Sequence, residues 1–326
     1  MKFRTEIAIS PSANKIDQHH KIFSIGSCFA TEMAHRLGRI GVATLSNPLG
    51  VVYNPLSVCS VLERVAELRE VRAEELHRRD DVWFSYHTHG DFDAPDAAEV
   101  VGRINSAISK AHTALAEADW LVVTLGTAWV YEREGEVVAN CHKMPAGEFV
   151  RRRLSVEEVA SALSKVADRF ADKHIILTVS PIRHLSDGLA DNSLSKAVLR
   201  VAADAVASLK ANVSYFPAYE ILLDDLRDYR FYAADMIHPT DVAVEYVWER
   251  FVECYLSDEA CALGEKFASV SAGLMHRPLH PESTEWSKFK SRMLGRAKEL
   301  ATALPHNEVA VDLAKKWAEK CAEDAK

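Results

Sequence analysis

Apolar and polar positions fall into two alternating periods along most of the chain. The run "KIFSIG" (21–26) is short and almost continuously apolar, and it ends in glycine, which predicts a buried strand. After it Phe29, Met33, Leu37 and Ile40 recur at steps of three and four, one face of a helix. Gly38 and Gly41 offer stops for that helix, and "VATLS" (42–46) resumes as a strand. Short turns on both sides make this a βαβ unit with parallel strands and a right-handed crossover. Three further runs read as buried strands: "WLVVTLG" (120–126), "HIILTVS" (174–180) and "VSYFP" (213–217). Helical patterns over 97–118, 155–171 and 193–211 precede them. Asn54-Pro55 opens another helix, with Asn as cap and Pro in the first turn. Strands that alternate with helices in this way predict an α/β fold, a doubly wound, flavodoxin-like parallel sheet of about five strands.

The remaining segments are less regular. Residues 131–149 read as a hairpin or long loop that turns at Glu134-Gly135, and Arg151-Arg152-Arg153 as a solvated approach to the next helix. A long helix is expected from after Thr240 to about Leu256. Beyond it "SAGLMHRPLHPEST" (271–284) looks like a linker, followed by two helical stretches rich in Ala, Lys and Glu. The expected division is an α/β domain over 1–260 and a C-terminal helical extension over 261–326, whose helices offer a surface for homo-oligomer formation.

A hydrophobic content of 48% is ordinary for a globular chain of this length. Lys and Arg number 39 against 47 Asp and Glu, a net charge of −8, and no long basic stripe offsets it. Nucleic acid is therefore not an expected partner. Neither a signal-like start nor an apolar run of about 18 residues is evident, so a cytoplasmic protein without a membrane partner is expected. The six cysteines are scattered with no CxxC pair, which predicts reduced thiols.

Ligands of parallel sheets sit beyond the carboxyl ends of the strands. The polar residues expected there are Gly26-Ser27, the stretch from Asn47 to Gly50, Gly126-Thr127, and the stretch from Ser180 to His184. Ser27 has two readings. It caps the helix that follows, or it is a nucleophile exposed by a sharp turn, with helix N–H groups to hold negative charge. Cys28 shares that turn and the same helix dipole, which lowers a thiol's pKa, so it is a rival nucleophile or else a small buried filler. Late in the chain His238 is followed by Pro239, and Asp235 lies three residues before it. That spacing lets the carboxylate accept one imidazole N–H in a turn, fixing the tautomer and supporting the cation formed during proton transfer. Arg183 and His184 follow the fourth strand. Arg183 can hold a carboxylate or phosphate on a substrate and His184 can meet the leaving group, or Arg183 is neutralised by Asp187 or Asp191. The acidic and basic residues of "LRDYRFY" read as a local charge network that positions the Asp235 loop. Cys141 and His142, together with His87, His89 and His238, offer a zinc site, with His87 and His89 sharing a face if 84–88 is a strand.

A serine in the first βα turn and a late Asp-x-x-His resemble the SGNH (GDSL-like) hydrolases. The sequence is more closely similar to the GSCFA family, whose motif stands intact as Gly26-Ser27-Cys28-Phe29-Ala30. "NPLGVVYNP", "TLGTAWVY", "NCHKMP", "SPIRH" and "LRDYRFYAADMIHP" extend the resemblance from about Ile22 to Phe251. It implies a three-layer α/β/α sandwich and an acyl-ester hydrolase or acyltransferase. Ser27 matches the nucleophile, His238 the base and Asp235 its partner. The oxyanion glycine of such enzymes matches Gly50, with the Ser27 N–H beside it. Their Gly-x-Asn-Asp motif is absent at Gly126-Thr127-Ala128-Trp129, which leaves Asn140 and Asn47 as candidate amide donors. The expected substrate is a small-molecule or glycan acyl ester, an O-acetylated sugar first among them, and the chemistry needs no metal or organic cofactor. Two rivals remain open: a non-catalytic binding protein on the same fold, and a metal-dependent hydrolase.

Overall fold

The strands among the described residues are β1 (Lys21–Gly26), β2 (Ala43–Ser46), β3 (His77–Arg79), β4 (Val82–Phe84), β5 (Trp120–Leu125), β6 (Trp129–Arg133), β7 (Glu136–Val138), β8 (Val150–Arg153), β9 (His174–Val179) and β10 (Val213–Phe216). The longer helices are α1 (Cys28–Arg39), α2 (Pro55–Ala66), α3 (Ala97–Glu117), α4 (Val156–Arg169), α5 (Leu189–Leu209), α6 (Asp241–Tyr255), α7 (Asp258–Met275), α8 (Thr284–Ala303) and α9 (Glu308–Glu323). The structure is a computed structural model that describes residues 4–323, apart from the side chains of Asp187 and Glu323.

A central parallel sheet runs β10-β9-β5-β1-β2 and is flanked by helices, the α/β sandwich that the strand and helix periods imply. All six residues of β5 are buried, as befits a strand covered on both faces. Helices α2 to α5 bury their apolar stripes against the sheet, where Ile104, Ile108, Leu163, Val166, Leu199 and Val206 join one core with Phe23, Ile25, Val123 and Leu177. α2 starts where expected: the Asn54 side chain accepts the Ser57 N–H at 2.8 Å, with Pro55 at the first position. α4 opens with a capping box between Ser155 and Glu158.

Four local expectations need correction. β4 ends at Phe84, and His87 lies in the turn that follows, so 84–88 is not a strand. The hairpin turns at Glu134-Gly135 through two positive φ angles (55° and 86°), and the three arginines after it form β8, which completes a β7-β6-β8 sheet. Trp129 explains that strand: the Arg151 guanidinium lies 4.0 Å from its ring centroid, and Arg152 bonds Glu132 across the pair at 2.8 Å. Helix α5 begins at Leu189, four residues before the expected start. Residues 271–275 belong to α7, so the linker is shorter than its composition suggests.

The chain divides into two compact units. One comprises the residues up to Ala8, Ile22–Glu32 and Leu45–Val247, and holds the core described above. The other comprises Ile9–Lys21, Met33–Thr44 and the chain from Trp248. Its core gathers Phe267, Val270, Met293, Ala297, Leu300, Leu313 and Trp317. Buried amides secure it: Asn307 Nδ2 donates to the carbonyls of Gln18 and Gly41 at 2.6 and 2.8 Å.

Candidate active site

Gly26 ends β1 with φ 139° and lies hard against β5, where an added Cβ would stand 2.1 Å from the Thr124 carbonyl oxygen. Only glycine fits there. The Ser27 N–H donates to that same carbonyl at 3.0 Å, and the Ala30 N–H donates to the Ser27 carbonyl at 2.8 Å as α1 begins. Ser27 is 2% exposed, and its Oγ has no hydrogen-bond partner among the described residues. The side chain therefore does not cap α1. A buried hydroxyl at the carboxyl end of the sheet is left free, a condition it shares with Ser24, Ser46 and Thr178 Oγ1.

The segment from Asn47 to Tyr53 ties down this rim. Asn47, at φ 45°, receives the Gly26 N–H on its Oδ1 at 2.8 Å and donates from Nδ2 to Thr31 Oγ1 at 3.0 Å. Gly50 donates its N–H to the Asn47 carbonyl at 2.8 Å, and at φ 87° an added Cβ would meet His89 Cβ at 2.0 Å. The Tyr53 carbonyl accepts the N–H groups of Gly126 and Thr127 at 2.7 and 3.1 Å. Both N–H donors implied by the family resemblance, those of Ser27 and Gly50, are thus engaged by backbone carbonyls, and the Asn47 amide is held by its neighbours. Thr127 Oγ1 lies 3.1 Å from Ser195 Oγ and accepts the Trp129 N–H.

Asp235 organises the loop that carries His238. Its Oδ1 accepts the N–H groups of Ile237 and His238 at 2.9 and 3.0 Å, and its Oδ2 lies 2.6 Å from His238 Nδ1. The imidazole contact, followed by the two backbone N–H donors, holds the Asp235 carboxyl down to about 2. It is ionised near neutrality and can only accept, so Nδ1 carries the proton and Nε2 is left unprotonated in the neutral ring. Met236 at φ 58° and the bonds Ala233 N–H to His238 O (2.8 Å) and Met236 N–H to Ala233 O (2.9 Å) close the loop. The Arg183 N–H donates to the Ile237 carbonyl at 3.1 Å, joining this loop to the segment that leaves β9. Both side chains of the pair are about half exposed, 49% for His238 and 44% for Asp235. No hydrogen bond joins Ser27 Oγ to His238 in this conformation.

Lys196 sits in α5 at 1% exposure, and its Nζ donates to the carbonyls of Gly126 and Ser180, each at 2.7 Å. It therefore clasps the segments that leave β5 and β9. Burial is the first cause that pushes this amine down to about 7, opposed by the Cys28 sulfur. Burial likewise raises the Cys28 thiol, outweighing the backbone N–H groups of Cys28 and Phe29 that would lower it. The helix dipole thus does not make Cys28 an activated thiolate. His184 packs edge-on against Tyr53 and is pushed down to about 4 by burial and then by Lys196, so its imidazole is neutral near pH 7.

Arg183 has no carboxylate partner among the described side chains, so the expected neutralisation by Asp191 is absent; the Asp187 side chain lies outside the description. Its guanidinium stacks instead 3.7 Å from the Tyr232 ring centroid. In "LRDYRFY" Arg227 pairs with Asp224 at 3.8 Å and Arg230 with Asp228 at 3.1 Å.

The histidines proposed for zinc do not converge. His142 is buried on the Phe84 ring, with Nδ1 3.1 Å from Asp93 and Nε2 2.8 Å from the Ser85 carbonyl. Asn140 serves it, accepting the His142 N–H at 2.8 Å. His89 faces Asp91, and His87 lines another depression with Glu75 and Glu136. Among the described residues no group of three His, Cys, Asp or Glu side chains is disposed to hold a metal ion.

Sequence reasoning missed Lys196 and Tyr53. A signal for Lys196 was present: Asn192, Ser195 and Lys196 interrupt the stripe that Leu199, Ala203 and Val206 continue, and all are buried.

Among known proteins, no curated sequence matches this chain. A solved structure described as "a putative platelet activating factor from Streptococcus pneumonia" is similar at 13% identity and a TM-score of 0.37, over 75% of this chain and 85% of that one. A likeness at that level carries no argument about this protein. The match to the GSCFA family model extends over residues 21–251, most of the α/β unit and every rim residue described above: the chain belongs to the GSCFA family.

Proposed function

We propose that the protein is a serine-dependent esterase or acyltransferase of SGNH type, with Ser27 as nucleophile, His238 as base and Asp235 as the group that orients it. The observation that supports this most is the 2.6 Å contact between Asp235 and His238, which leaves Nε2 as a free acceptor. The buried Ser27 hydroxyl without a partner supplies the other half. Ser27 Oγ attacks the acyl carbonyl carbon as its proton passes to His238 Nε2. The tetrahedral intermediate then expels the alcohol, which takes that proton from His238. Water or an acceptor hydroxyl releases the acyl group by the same steps in reverse roles. Catalytic hydrogen bonds are often unmade until substrate binds, so the missing Ser27–His238 bond is the step that substrate completes.

The oxyanion falls to the first turn of α1. The N–H groups of Cys28 and Phe29 have no backbone acceptor among the described residues and meet the Cys28 sulfur instead, whereas those of Ser27 and Gly50 are engaged by carbonyls. An O-acetylated sugar is the first substrate class to test, by analogy with the SGNH hydrolases that the sequence resembles. The same engaged donors favour a second reading, a binding protein that holds such a ligand without turnover. An organophosphorus serine probe separates the two. The esterase reading expects one covalent adduct, mapped to Ser27 and lost in His238→Ala. Absence of any adduct on the wild-type protein supports the binding reading.

A further inference from the structure

We propose that the cavity beside the Asp235–His238 loop is a subsite for an oxyanion, carboxylate or phosphate, carried by the ester substrate, with Arg183 as its ligand. This rests on the hydrolase reading and names the substrate class more closely. The cavity measures about 320 Å³, enough for one sugar-sized group, and is lined by Arg183, Asp224, Arg227, Asp228, Tyr229 and Tyr232. Arg227 is paired with Asp224, and Asp228 with Arg230, which stands outside the lining, so among the described side chains Arg183 is the lining guanidinium left without a carboxylate. Asp235 does not serve it, being committed to His238 and two backbone N–H groups. On a chain with a net charge of −8, a guanidinium without a carboxylate partner is a selective feature.

The guanidinium is also held ready. Tyr232 stacks on it at 3.7 Å and Tyr229 lies at 5.3 Å, which fixes its plane for a contact with an oxyanion. Tyr229 is 64% exposed and presents a ring face to whatever carries the anion. Position links the subsite to the chemistry. The Arg183 N–H bonds the Ile237 carbonyl, and Tyr232 pairs with Pro239, so both residues are joined through the backbone to the immediate neighbours of His238. An ester whose reacting carbonyl meets His238 extends its remainder past Arg183.

Binding is read on Ser27→Ala protein, which cannot turn substrate over, by titration with inorganic phosphate, glucuronate and, as a neutral control, glucose. At least one anion is expected to bind, with affinity lowered roughly tenfold or more in Ser27→Ala/Arg183→Gln and to a lesser degree in Ser27→Ala/Arg183→Lys, whereas glucose is unaffected by either change. Which anion binds distinguishes carboxylate from phosphate. Equal anion binding by the folded Arg183 variants, or no binding of either anion, overturns the subsite. A kinetic arm compares 4-carboxyphenyl acetate with phenyl acetate. Arg183→Gln is expected to raise KM roughly tenfold or more for the anionic ester and far less for phenyl acetate. A wild-type protein that hydrolyses neither ester refutes the hydrolase reading, and the titration still decides the subsite.

Discussion

Asp235 Oδ2 stands 2.6 Å from His238 Nδ1, while its other oxygen accepts the N–H groups of Ile237 and His238. One carboxylate therefore both builds the loop and sets the imidazole tautomer. Asp235→Asn separates the roles, because the amide oxygen can keep the two backbone bonds while its nitrogen faces an N–H it cannot accept. Ester turnover is expected to fall about 10²–10⁴-fold, with a native fold and a melting temperature lowered only by the lost ionic contact. A variant that keeps wild-type turnover would remove Asp235 from the mechanism.

The same pair has a pH signature. The Asp235 carboxyl falls from 3.8 to about 2 on folding, so the unfolded chain binds more protons between those values. Its contribution is present above about pH 4 and is lost as pH falls toward 2. Ring signals of His238 followed by NMR are expected to keep the tethered orientation through pH 4 and to lose it only as pH falls toward 2.

Lys196 predicts a trend at the alkaline end. Its pKa drops from 10.5 to about 7 on folding, so the unfolded chain binds more protons across that window. Stability from this group is therefore gained as pH rises from 7 to 10.5 and is lost again on the way down. Melting temperatures of the wild-type protein and Lys196→Met, measured from pH 7 to 10, should converge or cross: the slope belonging to Lys196 is absent in the variant. Parallel curves would show that the amine does not titrate in this range.

Gly26 tests the turn itself. With the Thr124 carbonyl 2.1 Å from the place of a Cβ, Gly26→Ala must part β1 from β5. The expected loss is at least about 2 kcal/mol, read as a lower denaturant midpoint.

The sheet was legible because strands buried on both faces are written as apolar runs, as in β5 and β9. β8 was hidden, because its arginines gain their place from Trp129 and Tyr131 on the neighbouring strand, a pairing that no local pattern encodes. The Asp235–His238 contact was legible from a spacing of three residues inside one loop. Occupancy of the Ser27 N–H was not, since it depends on the carbonyl of Thr124 that folding brings to it. Lys196 shows the same limit. Its two acceptors follow two different strands, although its intrusion into an apolar helix face was there to be read.

The most direct test of the account is the rate of acetyl-ester hydrolysis by purified Ser27→Ala protein beside the wild type, both with native melting transitions. The account predicts measurable wild-type turnover and a loss of roughly 10³-fold or more on removal of the one hydroxyl. Equal turnover by the two proteins would contradict it.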